Sequence, residues 1–196
     1  MKKNNKSFVR RICVIVGSCL VIMAMLLPFF WQWKIRASER NMEYCVDTIR
    51  ALIPEPQDAV LEERRDNAMP ALSIDGTDYI GILEIPRYES ALPVCGNWGE
   101  VSKHPSRLGG SVYDGTLQIG GTSQKGQYDF FREISVEEAV YFTDMEGNRY
   151  AYAVTDIHNE KHADQAALQR EEAAMTLFIK NIYAFEYVVI HCNPLD

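Results

Sequence analysis

The hydrophobic pattern changes character along this chain. From Ile12 to Trp31 the sequence ICVIVGSCLVIMAMLLPFFW carries no charged side chain. That matches the ~20 residues a helix needs to cross a bilayer core and predicts a transmembrane helix over 12–31. The run is longer than the apolar region of a cleavable signal peptide, and no good small-x-small site follows it, so an uncleaved anchor is expected. Next, Met42, Val46, Ile49 and Ile53 recur on one face of a helix predicted over Ala37–Ile53, with Ser38 as a candidate cap and Pro54 and Pro56 to stop it. Glu55–Pro70 is charged and poor in apolar residues, and reads as a linker. Residues 32–78 are therefore expected to form a helical stalk and linker that hold the remainder away from the membrane.

From Tyr79 the chain breaks into short β-prone runs. Tyr79–Ile85 reads as a strand closed by Pro86, and Ala91–Val94 follows. Ala139–Thr143 and Asn148–Thr155 predict a hairpin across Asp144-Met145-Glu146-Gly147, a good turn sequence. Asp164–Glu172 reads as a short helix. Met175–Ile179 and Tyr187–Ile190 then read as adjacent strands around a break at Lys180–Glu186. Such a break is where a scaffold commonly presents chemistry. A mainly β domain is thus expected over 79–196.

Charge sets the orientation. Lys2, Lys3, Lys6, Arg10 and Arg11 precede the apolar run, whereas all 27 acidic residues follow residue 38. The positive-inside rule leaves a basic tail, residues 1–11, in the cytoplasm and the bulk of the chain outside a single-pass anchor. The acidic balance of that outer part argues against nucleic-acid binding, which needs a basic footprint. Of the five cysteines, Cys13 and Cys19 lie in the apolar run. Cys45, Cys95 and Cys192 are widely separated, without metal-ligand spacing or a disulfide framework, and one pairing among them stays open. His158 and His162 stand four residues apart, but no third ligand is signalled, so they read as a polar surface loop. No metal and no cofactor are expected.

Several segments together resemble the sortase family. Gly81-Ile82-Leu83-Glu84-Ile85-Pro86 followed by Leu92-Pro93-Val94 is similar to the way those domains open. Leu117-Gln118-Ile119-Gly120-Gly121-Thr122 resembles the strand that ends in their catalytic histidine. Tyr128–Ile134 resembles a short helix, and Val140–Asp144 with Gly147–Val154 resembles the family hairpin. Thr176-Leu177-Phe178 and Tyr187-Val188-Val189 resemble the strands that carry the nucleophilic cysteine and the arginine. The likeness spans about Tyr79–Cys192. It implies a sortase-type closed β-barrel with short helices, displayed at the surface of a cell with a Gram-positive-type envelope.

A sortase is a cysteine transpeptidase that acts on the sorting signals of surface proteins. It needs a nucleophile, a proton-transfer group and an oxyanion donor. The resemblance assigns those positions to Lys180, Thr122 and Tyr187, and none is the family residue. No cysteine lies between Cys95 and Cys192, no histidine between His104 and His158, and no arginine after Arg170, so a shift of one or two residues restores nothing. Cys192 adjoins His191, but neighbouring strand residues point to opposite faces. Cys95 reads as a packing residue, and Tyr187 as a core or groove-lining one. The resemblance with these departures implies an inactive homologue that binds a sorting-signal peptide, a pilin-like protein or an active sortase. The alternative is an active transpeptidase or peptidase with Lys180 or Thr122 as its nucleophile. A third reading is a structural envelope component with no groove function.

Overall fold

A computed structural model of the chain describes residues 4–59, 68–101, 103–161, 173–184 and 186–195. The expected helix over Asp164–Glu172 and His162 lie outside them. The chain forms two compact units, Met1–Ser38 and Glu39–Asp196.

Helix α1 runs without a break from Asn4 to Leu52. The separate helices expected over 12–31 and 37–53 are therefore one. Gln32–Arg36 contain no glycine or proline and have no reason to leave a helical path. In the first unit, Leu20, Met25, Phe29 and Trp31 are exposed, and the helix is long and apolar enough to cross a membrane.

In the second unit the expected stalk is part of the domain. The predicted stripe of Met42, Val46 and Ile49 is buried. Val46 and Ile49 share a core with Cys45, Ile74, Tyr79, Ile82 and Cys95, and Ile53 packs at its margin. The helix face is apolar and the outer face of the sheet offers Tyr79 and Ile82, so burying both removes more apolar surface from water than a free stalk does. The linker also contributes. Strand β1 (Gln57–Asp58) and strand β2 (Leu72–Ile74) join the edges of the sheet. The domain thus begins at Glu39, ahead of the expected boundary at Tyr79.

Strands β3 (Thr77–Ile85), β4 (Ser90–Cys95), β5 (Ser106–Gly109), β6 (Leu117–Thr122), β7 (Ala139–Asp144), β8 (Asn148–Glu160), β9 (Met175–Asn181) and β10 (Glu186–Pro194) complete the sheet. The order β8-β10-β9-β6-β5-β4-β3 is closed by β7, which pairs with both β3 and β8. The result is a closed barrel. Its interior holds Leu83, Ile119, Phe142, Leu177, Ile179 and Ile190, supplied by alternate positions of the strands. The hairpin of β7 and β8 turns at Asp144–Gly147, as its sequence predicts. Asp144 is fully buried there. Its carboxylate accepts from the backbone N–H groups of Glu146 and Asn148, both at 2.9 Å, and from the Tyr113 hydroxyl at 3.2 Å.

Tyr128–Ile134, expected as a short helix, is a run of turns. Its bonds reach only three residues, Phe131 N–H to Tyr128 O and Glu133 N–H to Phe130 O. Tyr128 and Phe131 nonetheless point into the barrel core, so burial of these aromatics, not helix formation, fixes the segment. No disulfide joins any of the five cysteines, all of which lie among the described residues. Cys45 and Cys95 lie in the core between helix and barrel, and Cys192 lies inside the barrel.

Candidate functional site

Strand β6 runs parallel to β9, and β10 runs antiparallel to β9 on its other side. Their register places Thr122 opposite Lys180, and Lys180 opposite Tyr187. Three residues separated by up to 65 positions in sequence thereby stand in one row across adjacent strands. Lys180 is exposed, while Thr122 and Tyr187 are half-buried. Leu177 and Ile179 on β9, and Val188 and Ile190 on β10, face the core. Lys180 and Tyr187 therefore share the outer face of the barrel with Phe178 and Val189.

Gly120 and Gly121 set the wall beside this row. A side chain at Gly121 would come within 2.3 Å of the Tyr128 ring, which plugs the barrel interior. A side chain at Gly120 would come within 2.2 Å of Trp98 on the opposite face. The paired glycines let one aromatic ring lie flush on each side of β6. Trp98, in the turn Trp98–Glu100, stays 46% exposed and borders the row.

The row is held by side chains just beyond the strand ends. Buried Gln127 accepts through Oε1 from the Thr122 backbone N–H at 2.9 Å and from the Thr122 hydroxyl at 3.1 Å. The Ser123 N–H donates to Lys180 O at 3.0 Å, and the Ser123 hydroxyl accepts from the Ile182 N–H at 3.1 Å. Asn181 accepts from the Tyr183 N–H at 3.0 Å and donates to Glu186 at 3.4 Å. None of these partners was legible beforehand. Gln127 reaches Thr122 only because the chain turns back after β6. The Gly120-Gly121 pair is the local signal that something packs closely there.

The chemistry of the row is limited. The Thr122 hydroxyl donates to a neutral amide, which cannot take its proton as a general base. Lys180 is exposed and lacks the desolvation that activates an amine nucleophile. Cys192 is fully buried in the barrel, and burial pushes its thiol up to about 12, the condition of an inert structural cysteine. His191 points to the other face, where Thr176 Oγ1 lies 3.2 Å from its Nδ1.

Compared with family models and with curated proteins, the sequence matches none. Solved structures do match. Sortase A from Corynebacterium diphtheriae superposes with a TM-score of 0.52 at 16% identity over 83% of this chain and 84% of that one. The lid mutant of the same enzyme gives 0.52 at 20% identity over 60% and 70%. Sortase A of Listeria monocytogenes gives 0.51 at 17% identity over 60% and 88%. The fold is that of the sortases. At these identities the likeness is one of fold. In this sortase fold, the ends of β6, β9 and β10 bring Thr122, Lys180 and Tyr187 together, and none of the three is Cys, His or Arg.

Proposed function

We propose that this chain is a single-pass membrane protein whose sortase-fold domain lies outside the cell and binds a sorting-signal peptide without cleaving it. Its N-terminus stays in the cytoplasm, and the envelope is of the Gram-positive type. The basic residues ahead of Ile12 and the exposed apolar helix after them support the anchor and its orientation. The observation that carries the binding reading is the row itself. Thr122, Lys180 and Tyr187 stand together at the strand ends, with Trp98 against Gly120 farther along β6, yet supply no thiol, imidazole or guanidinium. Fold and chemistry are separable, so a binding role does not require the catalytic groups to be kept. Bound peptide would come from a surface protein or a pilin-like protein; an active sortase is the other partner this reading admits.

Loss of a general base costs ~10²–10⁴ in rate, and loss of an oxyanion donor ~10²–10³. Loss of the thiol removes the thioacyl route altogether, after which the other losses no longer add. The test is a peptide library incubated with the protein and an amine acceptor and read by mass spectrometry, beside a binding measurement on the same peptides. Retention of peptide with no cleaved or transferred product is expected. Turnover that disappears in Lys180→Ala or Thr122→Ala would replace this reading with an active transpeptidase that uses a non-cysteine nucleophile. Protease treatment of intact cells stripped of any wall should digest the domain; a mature N-terminus beyond residue 25 would mean that the apolar segment is a signal peptide.

A further inference from the structure

We propose that Asp156, His158 and His191 form a binding site for a divalent transition metal ion of the zinc class on the outer face of the barrel. Strands β8 and β10 pair so that His191 stands opposite Asp156 and Val189 opposite His158. Asp156 and His158, two apart on β8, share a face, and His191 joins them from the neighbouring strand. One ligand atom from each of the three lies within 4.8 Å of the others. The imidazole rings of His158 and His191 are 5.3 Å apart. Sequence spacing pointed only to the pair His158 and His162. The third ligand comes instead from a strand more than thirty residues later, brought there by barrel closure.

The geometry suits coordination. Zinc bonds of ~2.0–2.2 Å at tetrahedral angles put neighbouring ligand atoms about 3.3 Å apart. His158 Nδ1 already lies 2.9 Å from Asp156 Oδ2. The Asp156 side chain is 57% exposed and the His158 side chain 24%, so both can adjust toward the ion by rotation of their side chains. His191 is the fixed member. It is buried, and Thr176 Oγ1 lies 3.2 Å from its Nδ1, so the proposed ion is placed on Nε2, with Nδ1 donating to Thr176. That is the outer-shell arrangement by which metal-binding imidazoles are oriented. Coordination turns His158 Nδ1 and the Asp156 carboxylate from each other to the ion. Glu160, whose Oε1 is 3.6 Å from His158 Nε2, sits on the far side of that ring from Asp156, where it can orient the imidazole, and water completes the coordination shell. Two imidazoles and a carboxylate favour zinc, cobalt, nickel or copper, whereas calcium and magnesium prefer sites built from oxygen. The site is separate from the row of Thr122, Lys180 and Tyr187. His191 is four residues beyond Tyr187 along β10, about 13 Å at ~3.3 Å per residue.

The test uses the untagged full chain in detergent, stripped with a chelator. Calorimetric titration with zinc should saturate at one ion per chain, cobalt should give a visible ligand-field band, and calcium should give neither. Asp156→Asn and His158→Gln, both on the solvent side, and His191→Gln should each weaken zinc binding at least about 100-fold, beyond the ~10–100-fold typical of outer-shell changes. Thr176→Val should weaken it within that outer-shell range. If His191→Gln fails to fold, the two solvent-side variants decide. No saturable zinc uptake, or uptake unchanged in Asp156→Asn and His158→Gln, overturns the proposal.

Discussion

Gln127 Oε1 accepts two hydrogen bonds from Thr122, one from its backbone N–H at 2.9 Å and one from its hydroxyl at 3.1 Å. A single buried amide therefore holds the end of β6 against the turn that follows it. Gln127→Ala leaves the Thr122 N–H without this acceptor in a half-buried position. The expected loss is about 1–3 kcal/mol, read from the denaturant midpoint. Thr122→Val removes only the hydroxyl and should cost less. Equal losses would show that the side-chain bond, not the backbone bond, is what matters.

The two neighbouring glycines should respond differently to one added methyl group. At Gly121 it meets Tyr128, which is fully buried in the barrel core and has nowhere to go. Gly121→Ala should cost about 1–3 kcal/mol or more through overpacking. At Gly120 it meets Trp98, which is half-exposed and can tilt outward. Gly120→Ala should destabilise less and should instead alter Trp98 fluorescence. Melting curves and emission spectra of the two variants separate these outcomes.

The last turns of α1 belong to the domain core, and a mutation there should show it. Ile49 is fully buried against the sheet. Ile49→Ala should destabilise the domain by about 2–5 kcal/mol. The exposed neighbour Leu52 makes the control, since Leu52→Ala should change stability by a few tenths of a kcal/mol. If Ile49→Ala were as mild as Leu52→Ala, residues 39–52 would be a stalk after all.

Buried titrating groups predict alkaline sensitivity. Burial pushes the Cys192 thiol from 9.0 up to about 12. Burial, and then the neighbouring Cys192, also raises the hydroxyls of Tyr128 and Tyr152. Each group holds its proton more tightly folded than unfolded. For Cys192 the stabilisation is complete below about pH 9 and is lost as pH rises toward 12, whereas the two tyrosines begin to lose theirs only above pH 10.0. For Cys192 that span amounts to about 4 kcal/mol at ~1.36 kcal/mol per pH unit. Cys192→Ala should therefore flatten the fall in stability between pH 9 and 12 while lowering stability at neutral pH through the small cavity it leaves. A fall of unchanged steepness would count against Cys192 as its source.

Much of the architecture was legible from residue order alone, for local reasons. The absence of charge between Ile12 and Trp31 makes that helix long and apolar enough to cross a membrane, a property set by these residues alone. The alternation in Ala139–Thr143 and Asn148–Thr155, with Asp144 and Gly147 between them, specifies a hairpin because its strands pair with their immediate neighbour in sequence. The stripe Met42-Val46-Ile49-Ile53 specified which face of the helix is buried. It did not say against what, because the partners Ile74, Tyr79 and Cys95 are distant in sequence. The helix over Tyr128–Ile134 failed because burial of two aromatic side chains outweighed weak local propensity. Barrel closure decided the rest. The parallel pairing of β6 with β9 set Thr122 beside Lys180, and the pairing of β10 with β8 set His191 beside Asp156 and His158. Such contacts join residues whose separation along the chain carries no periodic signal, so only the folded sheet brings them into register.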